Sequence, residues 1–250
     1  MSVARRVVVT GGAKGLGAAI VRAAASAGFD VTFTYRSSPE EAEALAADVA
    51  GATGRAVVAE ALDLSDRAAV DAYAEGLGED APYALVHNAG QPYDTLAAMM
   101  DQDRAEAAMQ VNFWAFTRLV RGAVRGMTRA RAGRIVAIGS VAALRGNQGN
   151  AAYAATKGAL ISYCRTLSVE TARRGVTVNV VAPGFIDTAM IAGYADYRDG
   201  IEKQVPAGRF AQPEEVAPTV AFLLGDGAAY LTGAVIPVDG GLTAQLGVHR

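Results

Sequence analysis

The chain has 250 residues, 52% of them hydrophobic and 19% charged, and a formal net charge of −2. This length suits one large domain, the apolar fraction excludes a disordered chain, and the near-neutral charge gives no footing for nucleic acid or an anionic membrane. A single cysteine, Cys164, excludes an internal disulfide and a cysteine metal cluster and fits a reducing compartment. The N-terminus lacks the pattern of a signal peptide, and no uncharged apolar run approaches the roughly 18 residues of a spanning helix. A cytoplasmic protein without a metal site is expected.

In chain order, a strand at Val7–Thr10 leads to a helix near Leu16–Ala27, then a strand at Val31–Tyr35 and a helix near Pro39–Val49. A strand at Ala56–Ala59, a helix near Arg67–Leu77 and a strand at Ala84–His87 follow. One long helix is predicted near Ala105–Arg125, then a strand at Arg134–Gly139, a helix near Ala152–Arg173 and a strand at Val176–Val181. A helix near Glu214–Leu224 and a strand at Val235–Val238 complete the pattern. Several strands are continuously apolar, as parallel strands covered on both faces must be, and strict βα alternation predicts right-handed crossovers. The expectation is one doubly wound α/β domain over residues 1–250, a seven-stranded parallel sheet with helices on both faces. Residues 185–210 are too irregular for an ordinary connection and read as a substrate lid, with Tyr194 and Tyr197 on it.

Directly after the first strand, Thr10-Gly11-Gly12-Ala13-Lys14-Gly15-Leu16-Gly17 opens a helix. Glycines there let the backbone turn tightly toward a pyrophosphate, which the free N–H groups of a helix N-terminus then bind. The spacing T-G-x-x-x-G-x-G resembles the short-chain dehydrogenase/reductase family rather than G-x-G-x-x-G. That resemblance implies a Rossmann-type fold and a nicotinamide cofactor held by Gly11, Lys14, Gly15, Leu16 and Gly17. NAD sites usually carry an acid about 20 residues after the glycines, to accept from the ribose hydroxyls. Here Thr34-Tyr35-Arg36-Ser37-Ser38 has none, and Arg36, with Ser37 beside it, can bind the 2′-phosphate of NADP, so NADPH/NADP+ is the expected cofactor. The resemblance further implies that Asp63-Leu64 lies beside the adenine and that Asn88-Ala89-Gly90 lines the cofactor cleft. It also implies that Pro183-Gly184-Phe185-Ile186-Asp187-Thr188 holds the carboxamide, through the Ile186 backbone and the Thr188 hydroxyl.

Tyr153 and Lys157 stand four apart, so a helix points phenol and ammonium into one cleft. Ser140 follows an apolar strand at the carboxyl edge of the sheet, where open α/β sheets bind ligands. With Asn112 they form the Asn-Ser-Tyr-Lys set of the family. Reduction of a ketone adds hydride to carbon and a proton to oxygen, and a Tyr whose pKa of about 10 is lowered by a nearby cation can deliver that proton. By resemblance, Ser140 bonds the substrate oxygen, Lys157 the ribose hydroxyls, and Asn112 anchors a proton-relay water. His87 reads as a packed, hydrogen-bonded neighbour rather than a catalyst, Cys164 as core, and His249 as incidental.

The closest resemblance within the family is to 3-oxoacyl-acyl-carrier-protein reductases, carried by Gly133–Val141, Gly175–Ile186, Val205–Phe210, Leu231–Gly233 and Val238–Gly241. It implies NADPH-dependent reduction of a 3-oxoacyl thioester in fatty-acid or polyketide biosynthesis, or alternatively of a free ketone, sugar or secondary alcohol. It also implies an acyl carrier protein gripped beside the cleft by Arg131 and Arg174, and a D2 homotetramer. The segment Gln91–Thr95, the lid tyrosines and the tail Leu242–Arg250 depart from that pattern.

Overall fold

The computed structural model describes residues 5–189, 191 and 197–245, so Tyr194 and His249 lie outside the described residues. The strands are β1 (Arg6–Thr10), β2 (Asp30–Tyr35), β3 (Val57–Ala61), β4 (Ala84–His87), β5 (Gly133–Ile138), β6 (Val176–Pro183) and β7 (Val235–Val238). The helices are α1 (Gly15–Ser26), α2 (Pro39–Thr53), α3 (Arg67–Glu79), α4 (Gln102–Met109), α5 (Ala115–Ala130), α6 (Ala151–Thr171), α7 (Arg198–Glu202) and α8 (Pro213–Leu224). The seven strands form one all-parallel sheet in the order β3-β2-β1-β4-β5-β6-β7.

The apolar strands are split by the two-residue period of the pleat. Val7 and Val9 face a core built with α1, α2 and α8, while Val8 faces the core built with α3, α5 and α6. On β4, Ala84 and Val86 go one way and Leu85 the other; on β5, Ile135 and Ala137 oppose Val136 and Ile138. All of these are buried, and each large side chain so placed contributes about 1.5–3 kcal/mol. Close packing also fixes some glycines: a methyl on Gly122 of α5 would come 2.1 Å from the Ala74 carbonyl oxygen of α3.

Most boundaries shift by a few residues from expectation, and three differences bear on the site and its surroundings. The long helix near Ala105–Arg125 is interrupted: α4 gives way to a π turn at Gln110–Trp114 before α5 resumes. The third strand starts one residue later and runs to Ala61, and α6 ends at Thr171 in a 3₁₀ turn, Ala172–Arg174, closed by Gly175 at φ 70°. The expected lid is closed at its base. Ile186 bridges Ala211 in parallel, Phe185 stacks on Phe210 at 5.3 Å, and Arg198 of α7 clamps Asp187 at 2.8 Å and Glu202 at 2.9 Å. Arg198 therefore holds the Asp187 carboxyl below the usual range. Among the described residues no helix is long and apolar enough to cross a membrane.

Candidate active site

Successive strands lead outward in opposite directions from β1 and β4, so their crossovers part there and leave a crevice at the carboxyl ends of the strands. A cleft of about 1130 Å³ fills it. One wall is the glycine loop. Helix α1 begins at Gly15 with no side chain capping its N-terminus, which leaves backbone donors and the positive dipole end for an anion. The loop is held tight: a methyl on Gly17 would meet the Gly11 carbonyl oxygen at 2.0 Å, and one on Gly12 would meet Phe33 at 2.5 Å. Asn88 braces it, donating from Nδ2 to the carbonyls of Thr10 (3.2 Å) and Gly11 (2.9 Å).

Tyr35, Arg36 and Ser37 line the same cleft at the end of β2. No acid stands there, and Arg36 has no ion pair among the described residues. Lys14 is engaged, bonding Ser38 Oγ at 3.1 Å and Glu41 at 2.7 Å, but this pair is exposed and weakly held. Asp63 also lines the cleft; the Ser65 amide and hydroxyl, and then Arg36, hold its carboxyl below the usual range. Leu64, Ala89, Gly90, Pro183, Gly184, Ile186 and Thr188 complete the part expected to hold a dinucleotide. These residues fit a dinucleotide phosphate: uncapped amides, an unpaired guanidinium and a long trough converge.

The floor carries Ser140, Tyr153 and Lys157, all lining this cleft. Ser140, just past β5, accepts from the Ala142 amide at 3.1 Å. Lys157 is buried, donates to the Ile138 carbonyl at 2.9 Å, and lies 5.7 Å from the centre of the Tyr153 ring. Burial lowers its pKa to about 8.

Asn112 does not reach the cleft surface. It sits fully buried in the π turn behind the floor, where Nδ2 donates to the Gln91 carbonyl (3.0 Å) and to Thr156 Oγ1 (2.9 Å), while Oδ1 accepts from the Gln91 amide (2.7 Å). Its side chain thus joins the loop after Gly90 to the residue preceding Lys157. A methyl on Gly90 would lie 3.4 Å from Lys157 Nζ and 3.6 Å from Asn112 Oδ1, so the two groups face one space.

Arg131 and Arg174 are not beside the cleft of their own chain. Arg131 caps α5 ahead of β5 and Arg174 precedes β6, both at the amino edge of the sheet. The length of α6 and its 3₁₀ turn separates Arg174 from Tyr153 by roughly 30 Å, at about 1.5 Å of rise per residue. Sequence reasoning missed the opposite feature, a cation at the cleft mouth. Arg145 lines the cleft and donates through Nη2 to the carbonyls of Thr243 and of Gln245, the latter at 2.7 Å. Gln245 in turn donates to the Gln204 carbonyl at 2.9 Å, so the tail lies against the lid. Nothing in the sequence around Arg145 marks this grip, because its acceptors are backbone atoms about a hundred residues away.

Residues 11–243 match a family profile described as enoyl-(acyl carrier protein) reductase. A 3-oxoacyl-(acyl-carrier-protein) reductase of Salmonella typhimurium is 39% identical over 238 residues, covering 94% of this chain and 96% of the relative. A putative NAD(P)-dependent gluconate 5-dehydrogenase from Beutenbergia cavernae, with bound NADP at low occupancy, superposes with a TM-score of 0.92 at 36% identity and covers 98% of this chain and 99% of that one. An actinorhodin polyketide ketoreductase variant with NADPH superposes with a TM-score of 0.90 at 29% identity, covering 97% of this chain and 98% of that one.

Proposed function

This chain belongs to the short-chain dehydrogenase/reductase family, and from that we propose that it is a cytoplasmic reductase that uses NADPH to convert a 3-oxoacyl thioester to the 3-hydroxyacyl product. One observation carries the reading: Ser140, Tyr153 and Lys157 converge on the floor of the cleft whose wall is the glycine loop. The N-terminus of α1 would hold the pyrophosphate, Arg36 and Ser37 the 2′-phosphate, and Lys157 the nicotinamide ribose. The cofactor supplies the hydride that reaches the carbonyl carbon. Ser140 donates a hydrogen bond to the carbonyl oxygen and orients it. Tyr153 delivers the proton to that oxygen, and the adjacent ammonium of Lys157 stabilises the phenolate left behind. A water beside Lys157, reached from the cleft, would return the proton to Tyr153.

A second reading, reduction of a free polar ketone or oxidation of a polyol, is favoured by the cleft mouth, where Gln91, Arg145, Asn147, Gln148, Gln204 and Gln245 gather. NADPH oxidation with acetoacetyl and crotonyl thioesters, keto sugars, keto acids and cyclic ketones separates these readings. Turnover of the 3-oxoacyl thioester alone supports the first, and of a keto sugar or keto acid alone the second. Preference for the crotonyl thioester would mean enoyl reduction and reject both. On the accepted substrate, Tyr153→Phe is expected to lower kcat by about 10²–10⁴-fold while NADPH affinity holds. Near-normal turnover would sink the assignment of the proton donor.

We further propose a homotetramer paired through α5 and α6 and through β7. Helices antiparallel across a two-fold axis bring the Arg174 end of one α6 toward the Tyr153 end of its partner. An acyl carrier protein at one cleft would then meet Arg131 and Arg174 of the neighbouring chain.

A further inference from the structure

His87 is fully buried at the end of β4, and no step of the proposed reaction uses it. Its surroundings nonetheless fix both ring nitrogens. Thr10 Oγ1 accepts from the amides of Asn88 and Ala89, each at 3.2 Å, which occupies both of its lone pairs. Its one proton therefore points at His87 Nδ1, 3.1 Å away, and Nδ1 must be the acceptor. The ring hydrogen is left on Nε2, which lies 3.1 Å from the carbonyl oxygen of Asn112 and donates to it. The ring stacks on Phe116 at 5.0 Å, and burial with the positive Lys157 nearby depresses its pKa to about 3, so it stays neutral wherever the enzyme would work.

The acceptor of that bond is the informative part. Asn112 lies in the π turn, where the helical ladder is out of step, and its side chain ties Gln91 to Thr156 beside Lys157. A donor from outside the helix, reaching the Asn112 carbonyl, sets where that side chain stands. Through Thr10 the same ring is bonded to the amides that follow β4 on the cofactor wall. An apolar residue of this size would fill the space and link nothing. We propose that His87 is a positioning residue, which as the Nε2–H tautomer locks the Asn112 turn to the cofactor wall and so sets the geometry around Lys157. This rests on Lys157 and Tyr153 being the working pair.

Two measurements test it. Long-range ¹H–¹⁵N correlation on histidine-labelled protein, with His87→Gln to assign the signal, should show His87 protonated at Nε2 alone from pH 5 to 8. A doubly protonated ring or an Nδ1–H tautomer would overturn the proposal, and this readout needs no substrate. The second is kinetic. Gln carries its amide nitrogen about as far from the backbone as Nε2 and can still donate to Asn112, whereas Leu cannot. On the substrate the parent turns over, His87→Leu should lose at least about tenfold in kcat with the NADPH dissociation constant held within about threefold, and His87→Gln should recover to within about threefold of the parent. Equal losses in both variants, or no loss in Leu, would reduce His87 to packing. Should Leu fail to fold, His87→Asn, too short to reach Asn112, takes its place with the same outcomes. A parent that reduces no carbonyl compound would refute the proposed function and, with it, this role in turnover.

Discussion

Lys157 carries a charged group into the interior, where its ammonium donates to the Ile138 carbonyl. Its pKa falls from 10.5 to about 8, so the folded state binds fewer protons than the unfolded chain between those values. Stability attributable to this group therefore rises with pH from 8 to 10.5, and below 8 its burial costs about 3 kcal/mol. Lys157→Met, after losing the Ile138 bond, is expected to raise unfolding free energy at pH 7 by about 1–2 kcal/mol, with the gain gone near pH 10.5. Urea titrations at the two pH values measure it; a variant less stable at pH 7 would contradict the burial argument. Arg36 is expected to give NADPH at least about a tenfold advantage over NADH, roughly 1.4 kcal/mol, and Arg36→Asp to reverse it, read as kcat/KM with each cofactor. Both residues were legible in the sequence because spacing and neighbours announced them. The engagement of Asn112 was not, because its partner at Gln91 is a backbone segment brought in by the fold.

At the level of elements, the π turn at Gln110–Trp114 matters most. One extra residue absorbed there leaves α4 and α5 in phase with their cores while swinging Asn112 onto Gln91 and Thr156. Deleting Phe113 should let the two helices join as regular α-helix and rotate Asn112 away. The expected protein is folded and binds NADPH, with kcat lower by about a hundredfold or more. Circular dichroism, cofactor fluorescence and turnover together check this, and unchanged turnover would dismiss the turn as decoration. The sequence could show helix on both sides but not the break, for Gln110-Val111-Asn112-Phe113-Trp114 contains neither Gly nor Pro. The parallel strands, in contrast, were readable as apolar runs because helices cover both faces.

On the scale of the molecule, the surface keeps apolar groups that a monomer gains nothing by exposing. Trp114 is 47% exposed at the start of α5, and Tyr230, Leu231 and Phe222 stand out near β7 and α8. Light scattering at micromolar concentration is expected to give four times the 25.7 kDa chain mass. A monomeric mass would also remove the route by which Arg131 and Arg174 could reach a neighbouring cleft. If the tetramer forms and an acyl carrier protein is the natural donor, Arg174→Glu should raise the KM for a carrier-bound substrate and leave a short free thioester unaffected, with the difference fading in salt. Arg131 and Arg174 shortly precede strands, just as Ser140 follows one, so their place at the amino edge was legible in the sequence; what a neighbouring chain would bring beside them was not.

The grip of Arg145 on the tail has a consequence for how such a chain can change over time. It holds the carbonyls at 243 and 245, which every amino acid supplies alike. Drift in side-chain identity there leaves those two acceptors in place, while Gln245 Nε2 on the Gln204 carbonyl and Thr243 Oγ1 on Asp239 steady the segment through their own side chains. Selection on the Arg145 contacts would act on how far the backbone reaches, and on its letters only where Thr243 and Gln245 make bonds of their own.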